Sequence, residues 1–192
     1  MNECERKSNI NKLLITGTGR AGTTFLMRIF TLLEFNTGYD LKKLNDYIDI
    51  NCKAGMERKL DAFNNVDVIK SPWLYDKINI ISKSFNYLEV LVPVRDSIEA
   101  GKSRINNGYG DGGLWYATNL NEQVDFYHKV IDTINNDCTK NDIKLIYIEF
   151  DKFTTDIEYC YDALQQLTIF NKKKIEYNKF LSAYRQAELI YK

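Results

Sequence analysis

The sequence predicts an α/β fold in which one parallel sheet lies between two layers of helices. Apolar runs of strand length alternate with stretches of helix length, and no internal repeat or linker interrupts them. The runs are continuous rather than alternating, which is typical of parallel strands covered on both faces. Helices that connect parallel strands make right-handed crossovers, so ligand loops lie at the carboxyl ends of the strands. The predicted strands are Lys12–Thr16, Val66–Lys70, Leu88–Val94 and Lys144–Phe150.

Patterns of helix length fill the intervals between the strands and continue after the last one. With 192 residues, of which 44% are hydrophobic, the chain is of a size to form one domain with a substantial core. We therefore expect residues 1–192 to form a single domain. The predicted helices are Thr23–Leu33, Trp73–Ser82, Ser97–Asn106, Leu120–Asn136, Asp156–Leu167 and Lys173–Tyr191.

The overall composition excludes several classes of partner. Lys plus Arg and Asp plus Glu number 26 each, so no excess of positive charge favours nucleic acid or an anionic membrane as a partner.

The polar first residues lack the apolar core of a signal peptide, and no apolar run could span a bilayer, which predicts a cytoplasmic protein. The cysteines form no C-x-x-C pair, so we expect reduced thiols at Cys4, Cys52, Cys138 and Cys160.

A glycine-rich turn, Gly17–Thr24, joins the first strand to the first helix. Its glycines let backbone N–H groups face an anion, and the first turn of the helix adds unpaired donors and the positive end of its dipole. In the template G-x-x-x-x-G-K-[ST], Thr23 stands where the lysine belongs. Arg20 brings a cation into the loop instead. The turn predicts a phosphate-binding loop and a fold like that of the P-loop nucleoside triphosphate hydrolases.

A second candidate anion site follows the third predicted strand. Arg95 stands at the carboxyl end of that strand, and Ser103 follows eight residues later, about two helical turns into the next helix. An arginine with a nearby hydroxyl suits a second phosphate. The alternative is structural: Arg95 pairs with Asp96 or Glu99, and Ser103 lies on a solvated helix face.

These segments together resemble motifs of the sulfotransferases that use 3′-phosphoadenosine 5′-phosphosulfate (PAPS). Arg20–Leu26 is similar to their 5′-phosphosulfate loop, and Arg95 with Ser103 is similar to the pair that holds the 3′-phosphate. Val68–Trp73 resembles the Lys-x-Pro segment of Golgi-type sulfotransferases, including the tyrosylprotein ones. Ile146–Phe153, followed by a helix, resembles a late segment of many bacterial members. The resemblance covers most of the chain.

The resemblance implies in-line transfer of a sulfuryl group from PAPS to an acceptor hydroxyl or amine, with no metal required. Lys70 would face the bridging oxygen of the donor, and Arg20 would hold the reacting group. Asp40 follows the first helix much as a Gly-Glu-Glu segment does in the tyrosylprotein sulfotransferases, whose base is a glutamate there. The resemblance therefore implies that Asp40, rather than His128, is the general base. The resemblance assigns donor binding to Gly17, Gly19, Arg20, Ala21, Gly22, Thr23, Thr24, Phe25, Arg95 and Ser103.

Several of these residues have structural alternatives. Phe25 suits a buried core position, Asp40 suits a helix cap, and Lys70 could be an exposed lysine at a strand end. His128, the only histidine, lies within a helical pattern and is interpreted as structural. Lys172–Lys174 is interpreted as a solvated helix start, with reach toward the 3′-phosphate as the alternative.

The acceptor is open at this stage: a small molecule, a glycan or a phenol. The glycine-rich stretch Gly108–Trp115 is either a lid over the acceptor or an ordinary surface loop. The sequence lacks a late Arg-Lys-Gly motif and is short for the family. We therefore expect that acceptor-binding elements are reduced, or come from a second subunit of a homo-oligomer.

Two other functions compete with sulfuryl transfer. A nucleotide or small-molecule kinase would bind ATP·Mg²⁺ and needs a loop lysine and a carboxylate at a strand end to hold the metal, and neither is evident. A non-catalytic nucleotide-binding module would bind the donor and transfer nothing.

Overall fold

The computed structural model describes residues 8–49, 52–107, 117 and 119–189. Within these residues, four strands form a parallel sheet and two short strands form an antiparallel hairpin. The strands are β1 (Ser8–Ile15), β2 (Ile48–Asp49), β3 (Ala54–Gly55), β4 (Val68–Lys70), β5 (Phe85–Val94) and β6 (Lys144–Glu149). The α-helices are α1 (Thr23–Leu32), α2 (Ile78–Ser84), α3 (Ser97–Asn107), α4 (Leu120–Lys140), α5 (Phe150–Phe153), α6 (Ile157–Gln165), α7 (Thr168–Lys172) and α8 (Tyr177–Glu188).

The main sheet has the strand order β4-β1-β5-β6. Leu14 of β1 lies opposite Ile69 on one side and Val90 on the other, and every pairing in this sheet is parallel. The chain places β4 on one side of β1 and then continues on the other side with β5. The direction of winding therefore reverses between β1 and β5, which is where open α/β sheets bind ligands at their carboxyl ends.

Apolar cores cover both faces of this sheet. Leu13 and Ile15 face a core built with α1, α6, α7 and α8, whereas Leu14 and Val90 face a second core built with α2 and α4. Successive residues of β1 thus contribute to opposite cores, as the continuous apolar run requires. The predicted α/β fold with a three-layer parallel sheet is confirmed.

The structure differs from the sequence prediction in three connecting segments. The predicted helix Trp73–Ser82 is divided, because Pro72–Leu74 forms a separate 3₁₀ turn before α2. The predicted helix Lys173–Tyr191 begins at Tyr177, after a turn in which Lys174 has a φ of 49°. The β2–β3 hairpin was not predicted, since two-residue strands carry no periodicity.

Several sequence predictions concern features outside the sheet. Gly108–Trp115, interpreted above as either a lid or a surface loop, lies outside the described residues. The three described cysteines, Cys52, Cys138 and Cys160, are buried, and no disulfide joins any of them to another. Across the described ranges, no helix combines the length and the apolar character needed to cross a membrane.

Candidate functional site

A cavity of about 200 Å³ lies at the carboxyl edge of the main sheet, where the winding reverses. Its walls come from the turn after β1, the β2–β3 turn, the residue after β5 and the first residue of α5. Among the described lining residues the charged side chains are all cations, with no carboxylate. The lining residues are Arg20, Gly22, Thr23, Thr24, Cys52, Lys53, Arg95 and Phe150.

The turn after β1 has a conformation that requires glycine. Gly22 has a φ of 81°, and a Cβ atom there would lie 2.6 Å from Cζ of Phe153 and 2.9 Å from Cδ2 of Phe150. Arg20 also adopts a left-handed conformation, with a φ of 57°. Such a conformation costs a non-glycine residue free energy and is concentrated at functional sites. The turn therefore presents its arginine and its backbone amides in one fixed arrangement.

Arg20 links the turn to α3 and to the β2–β3 hairpin. Its Nε donates a hydrogen bond to Oγ of Ser103 at 3.3 Å, and its Nη1 donates to the carbonyl oxygen of Cys52. The two anion sites predicted from the sequence are therefore adjacent, because Ser103 of one contacts Arg20 of the other.

Arg95 lies beside Phe150 in the cavity wall. Its guanidinium carbon is 4.8 Å from the centre of the Phe150 ring, and its backbone N–H donates to the Tyr127 hydroxyl at 3.3 Å. The buried Nε of Arg95 has no hydrogen-bond partner among the described residues. A buried donor without a partner costs free energy, which a bound anion would recover. The side chain thus fits an anionic ligand.

The carboxylates proposed as structural partners of Arg95 are engaged elsewhere. Oδ1 of Asp96 caps α3 by accepting from the backbone N–H of Glu99 at 2.9 Å, and Glu99 pairs with Lys102 at 2.9 Å. Both carboxylates therefore have partners other than Arg95.

Lys70 ends β4 with its side chain buried, at 1% exposure. Its ammonium donates to Oγ1 of Thr24 at 3.0 Å, to the carbonyl oxygen of Gly55 at 2.7 Å and to the carboxylate of Glu57. The structural alternative of an exposed strand-end lysine is therefore wrong. Burial lowers the pKa of Lys70, and the Glu57 carboxylate partly opposes that shift. The contact with Thr24 connects this ammonium directly to the lining of the cavity.

Sequence reasoning missed Glu57. It follows β3 and pairs with Lys70, and its side chain remains 24% exposed. No motif marks this residue, because the short β2–β3 hairpin that delivers it carries no sequence signal. A carboxylate that is partly exposed and held beside a buried ammonium can both orient that ammonium and accept a proton.

Asp40, predicted as the base, lies at the N-cap of the 3₁₀ helix Leu41–Tyr47. Its Oδ1 accepts a hydrogen bond from the backbone N–H of Lys42 at 2.9 Å. Asp40 is exposed and does not belong to the lining of the cavity. The contact is that of a capping residue, and the base role of Asp40 stays a prediction without a contact to support it.

Phe25 and His128 occupy structural environments. Phe25 is 1% exposed, with its ring centre 5.2 Å from that of Tyr184 and 5.9 Å from that of Phe153. His128 is exposed on α4, and its ring contacts Tyr127. We therefore assign Phe25 to the core and not to donor binding.

Lys172 and Lys173 lie away from this cavity. Lys172 donates to Oδ1 of Asn11 at 2.9 Å and lines a different cavity at the amino edge of the sheet. Lys173 donates to the carbonyl oxygen of Glu34. These contacts do not support a role for either lysine in binding the 3′-phosphate.

Comparison with known proteins finds a likeness in structure but none in sequence. No family model matches the sequence, and no curated protein matches it either. A solved structure described as the sulfotransferase domain from the curacin biosynthetic pathway covers 92% of this chain and 79% of its own, with a TM-score of 0.54 and 15% identity. At this identity the likeness establishes the fold alone. The chain has the fold of a sulfotransferase domain.

Proposed function

We propose that this protein is a sulfotransferase that moves a sulfuryl group from PAPS to an acceptor hydroxyl or amine. The observation that carries the proposal is the convergence of Arg20, Arg95 and Lys70 on one glycine-rich turn at the carboxyl edge of the sheet. PAPS is anionic at both its 3′ and 5′ ends, so it needs adjacent groups of cations and N–H donors. The shared fold supports the same function.

The donor would bind along the turn after β1 and across to α3. In this arrangement the backbone N–H groups of Ala21–Thr24 and the guanidinium of Arg20 contact the 5′-phosphosulfate. Arg95 and Ser103 contact the 3′-phosphate, which satisfies the buried Nε of Arg95. The hydrogen bond from Arg20 to Ser103 holds the two halves of this site next to each other.

Lys70 and Glu57 would perform the chemical step. The acceptor oxygen forms a bond to sulfur while the bond between sulfur and the bridging oxygen breaks, leaving the electron pair on that oxygen. Lys70 stabilises the developing charge on the bridging oxygen. Glu57 accepts the proton of the acceptor hydroxyl. We favour Glu57 over Asp40 as the base because Glu57 contacts the Lys70 ammonium, whereas Asp40 caps a 3₁₀ helix.

The competing kinase function fits the described residues less well. A kinase site holds Mg²⁺ through a carboxylate near the phosphates, and the part of the cavity lining that the structure describes contains none. The described residues also contain no group of three or more His, Cys, Asp or Glu side chains placed to bind a metal. A sulfuryl group carries less charge than a phosphoryl group, so fixed cations and N–H donors suffice for its transfer.

Calorimetric binding of 3′-phosphoadenosine 5′-phosphate, compared with ATP·Mg²⁺, tests the proposal. We expect the bisphosphate to bind selectively. Arg95→Ala should weaken bisphosphate binding by about 10- to 100-fold, because one or two charged hydrogen bonds are lost. Lys172→Ala, at the amino edge of the sheet, is the matched control and should bind normally.

Two results would contradict the proposal. Preference for ATP·Mg²⁺ would favour a kinase. Tight bisphosphate binding with neither sulfuryl transfer nor slow hydrolysis of PAPS would favour a non-catalytic binding module.

A further inference from the structure

A second cavity, of about 360 Å³, is lined by Glu57 of the Lys70–Glu57 pair. We call it the Trp73 cleft. Apolar side chains make up much of its wall, and the large exposed ring of Trp73, at 47% exposure, stands in it. Its lining residues are Glu57, Arg58, Lys59, Leu60, Ser71, Trp73 and Leu74.

The cleft is connected to the donor cavity through a short series of contacts. Thr24 lines the donor cavity and accepts a hydrogen bond from Lys70 at 3.0 Å. Lys70 in turn donates to Glu57, which lines the Trp73 cleft. The ammonium and the carboxylate proposed for the chemical step therefore link the linings of the two cavities. This order matches a reaction in which the donor approaches from one side and the acceptor from the other.

We propose that the Trp73 cleft binds the acceptor and that the acceptor is a hydroxyl compound with an aromatic body. This inference rests on the proposed sulfotransferase function. The indole of Trp73 offers a flat surface for stacking, and Leu60 and Leu74 supply apolar contacts. The acceptor hydroxyl is then directed toward Glu57, which takes its proton as the new oxygen–sulfur bond forms.

The polar groups of the cleft argue against a sugar as the acceptor. A sugar needs several hydrogen-bond partners, and two of the polar side chains are already engaged here. Arg58 donates from Nε to the carbonyl oxygen of Thr37 at 3.0 Å and stacks on Tyr39 at 4.2 Å. Oε1 of Glu57 is paired with Lys70, so this carboxylate has one oxygen left, which suits a single acceptor hydroxyl. Too few side chains remain for the ring of hydroxyls that a sugar presents.

The charge of the cleft favours an acidic substituent on the acceptor. Lys59 is an exposed cation in the lining. Glu57 is the one carboxylate among the described lining residues, and the charge of Lys70 balances its charge. An anionic group on the far side of the aromatic ring would be attracted to Lys59, and an ammonium would be repelled. Among phenols of equal size, the acid should therefore be preferred over the amine.

Sulfuryl transfer from PAPS to four acceptors tests the inference: 2-naphthol, 4-hydroxyphenylacetate, tyramine and N-acetylglucosamine. We expect the three phenols to react and the sugar to react poorly. Trp73→Ala should lower kcat/KM for 2-naphthol about tenfold, mainly through KM. Tyr87→Ala removes another exposed aromatic side chain, near the start of β5, and should leave the same value unchanged. Lys59→Glu should reverse the preference for 4-hydroxyphenylacetate over tyramine.

The outcomes separate this inference from the proposed function. Binding of 3′-phosphoadenosine 5′-phosphate that is normal in Trp73→Ala shows an intact donor site. Equal losses in Trp73→Ala and Tyr87→Ala, or better transfer to the sugar, would overturn the aromatic acceptor site while leaving a sulfotransferase. Transfer to none of the four acceptors, together with slow hydrolysis of PAPS, would also overturn the aromatic acceptor site while leaving a sulfotransferase. No bisphosphate binding in the native chain would overturn both.

Discussion

The two edges of the main sheet both carry cavities lined by charged residues, and they differ in how those charges are paired. The amino edge has the larger cavity, about 430 Å³ against about 200 Å³ at the carboxyl edge. At the amino edge, the buried Glu89 carboxylate accepts from the backbone N–H groups of Thr168 at 2.8 Å and Ile169 at 3.1 Å. At the carboxyl edge, the buried Nε of Arg95 has no partner among the described residues.

This difference shows that cavity size does not identify the site. The polar groups named at the amino edge satisfy one another, since Lys172 also bonds to Asn11 there, and such a set stabilises the fold without a ligand. The carboxyl edge instead concentrates cations, with a buried donor still unpaired. The carboxyl edge therefore favours an anionic ligand, as the proposed function requires.

The largest expected effect is on kcat, and it distinguishes two buried lysines on neighbouring strands. Lys70→Met should lower kcat by about 10²- to 10³-fold, because a preorganised donor to the leaving oxygen is lost. Lys12 of β1 is similarly buried at 2% exposure, and it donates to the carbonyl oxygen of Val66 at 2.5 Å. Lys12→Met should cost stability yet leave kcat of the folded protein near normal. Equal kcat in both variants would contradict the role of Lys70.

A smaller effect on kcat distinguishes the two candidate bases, Glu57 and Asp40. Glu57→Gln should lower kcat about 10²-fold with nearly normal binding of 3′-phosphoadenosine 5′-phosphate, since general-base catalysis is lost and the donor site is not. Asp40→Asn keeps an acceptor at the 3₁₀ N-cap and should change kcat little. Steady-state rates with PAPS and 2-naphthol measure both. The reverse result would return Asp40 to the mechanism.

The pH dependence of kcat tests the buried ammonium. The pKa of Lys70 is lowered from its ordinary 10.5, so its charge is present well below the shifted pKa and is lost as the pH rises through it. Turnover should therefore decline about tenfold for each pH unit above the pKa of Lys70, which lies below 10.5. Benzyl alcohol is a suitable acceptor because its hydroxyl does not ionise in this range. Lys70→Arg keeps the charge and should abolish the decline; a decline unchanged in that variant would assign it to another group.

The smallest effect on function is expected at the amino edge. Glu89→Gln leaves one of two backbone N–H groups without a good acceptor, which should lower the free energy of unfolding by about 1–3 kcal/mol. Urea denaturation measures this loss. Binding of 3′-phosphoadenosine 5′-phosphate by the folded variant should be unchanged, and weakened binding would show that the two edges are coupled.

Much of the carboxyl edge was predictable because its signals are local in sequence. Periodicity predicted the strands that end there, and the glycines of Gly17–Thr24 predicted the turn that the positive φ values confirm. Arg20, Lys70 and Arg95 each follow or end a strand, so the parallel topology alone predicted that they would lie at one edge. Their roles in donor binding and catalysis stay predictions.

The sequence by itself determined the layered α/β fold and the edge at which cations collect, because both follow from short-range patterns. Only the tertiary structure decided which groups meet there. Glu57 reaches Lys70 through a two-stranded hairpin that carries no periodicity, and Trp73 becomes the wall of a cleft only when β4 and its following 3₁₀ turn are in place. Such contacts join residues from separate loops, and no local pattern encodes the distance between them.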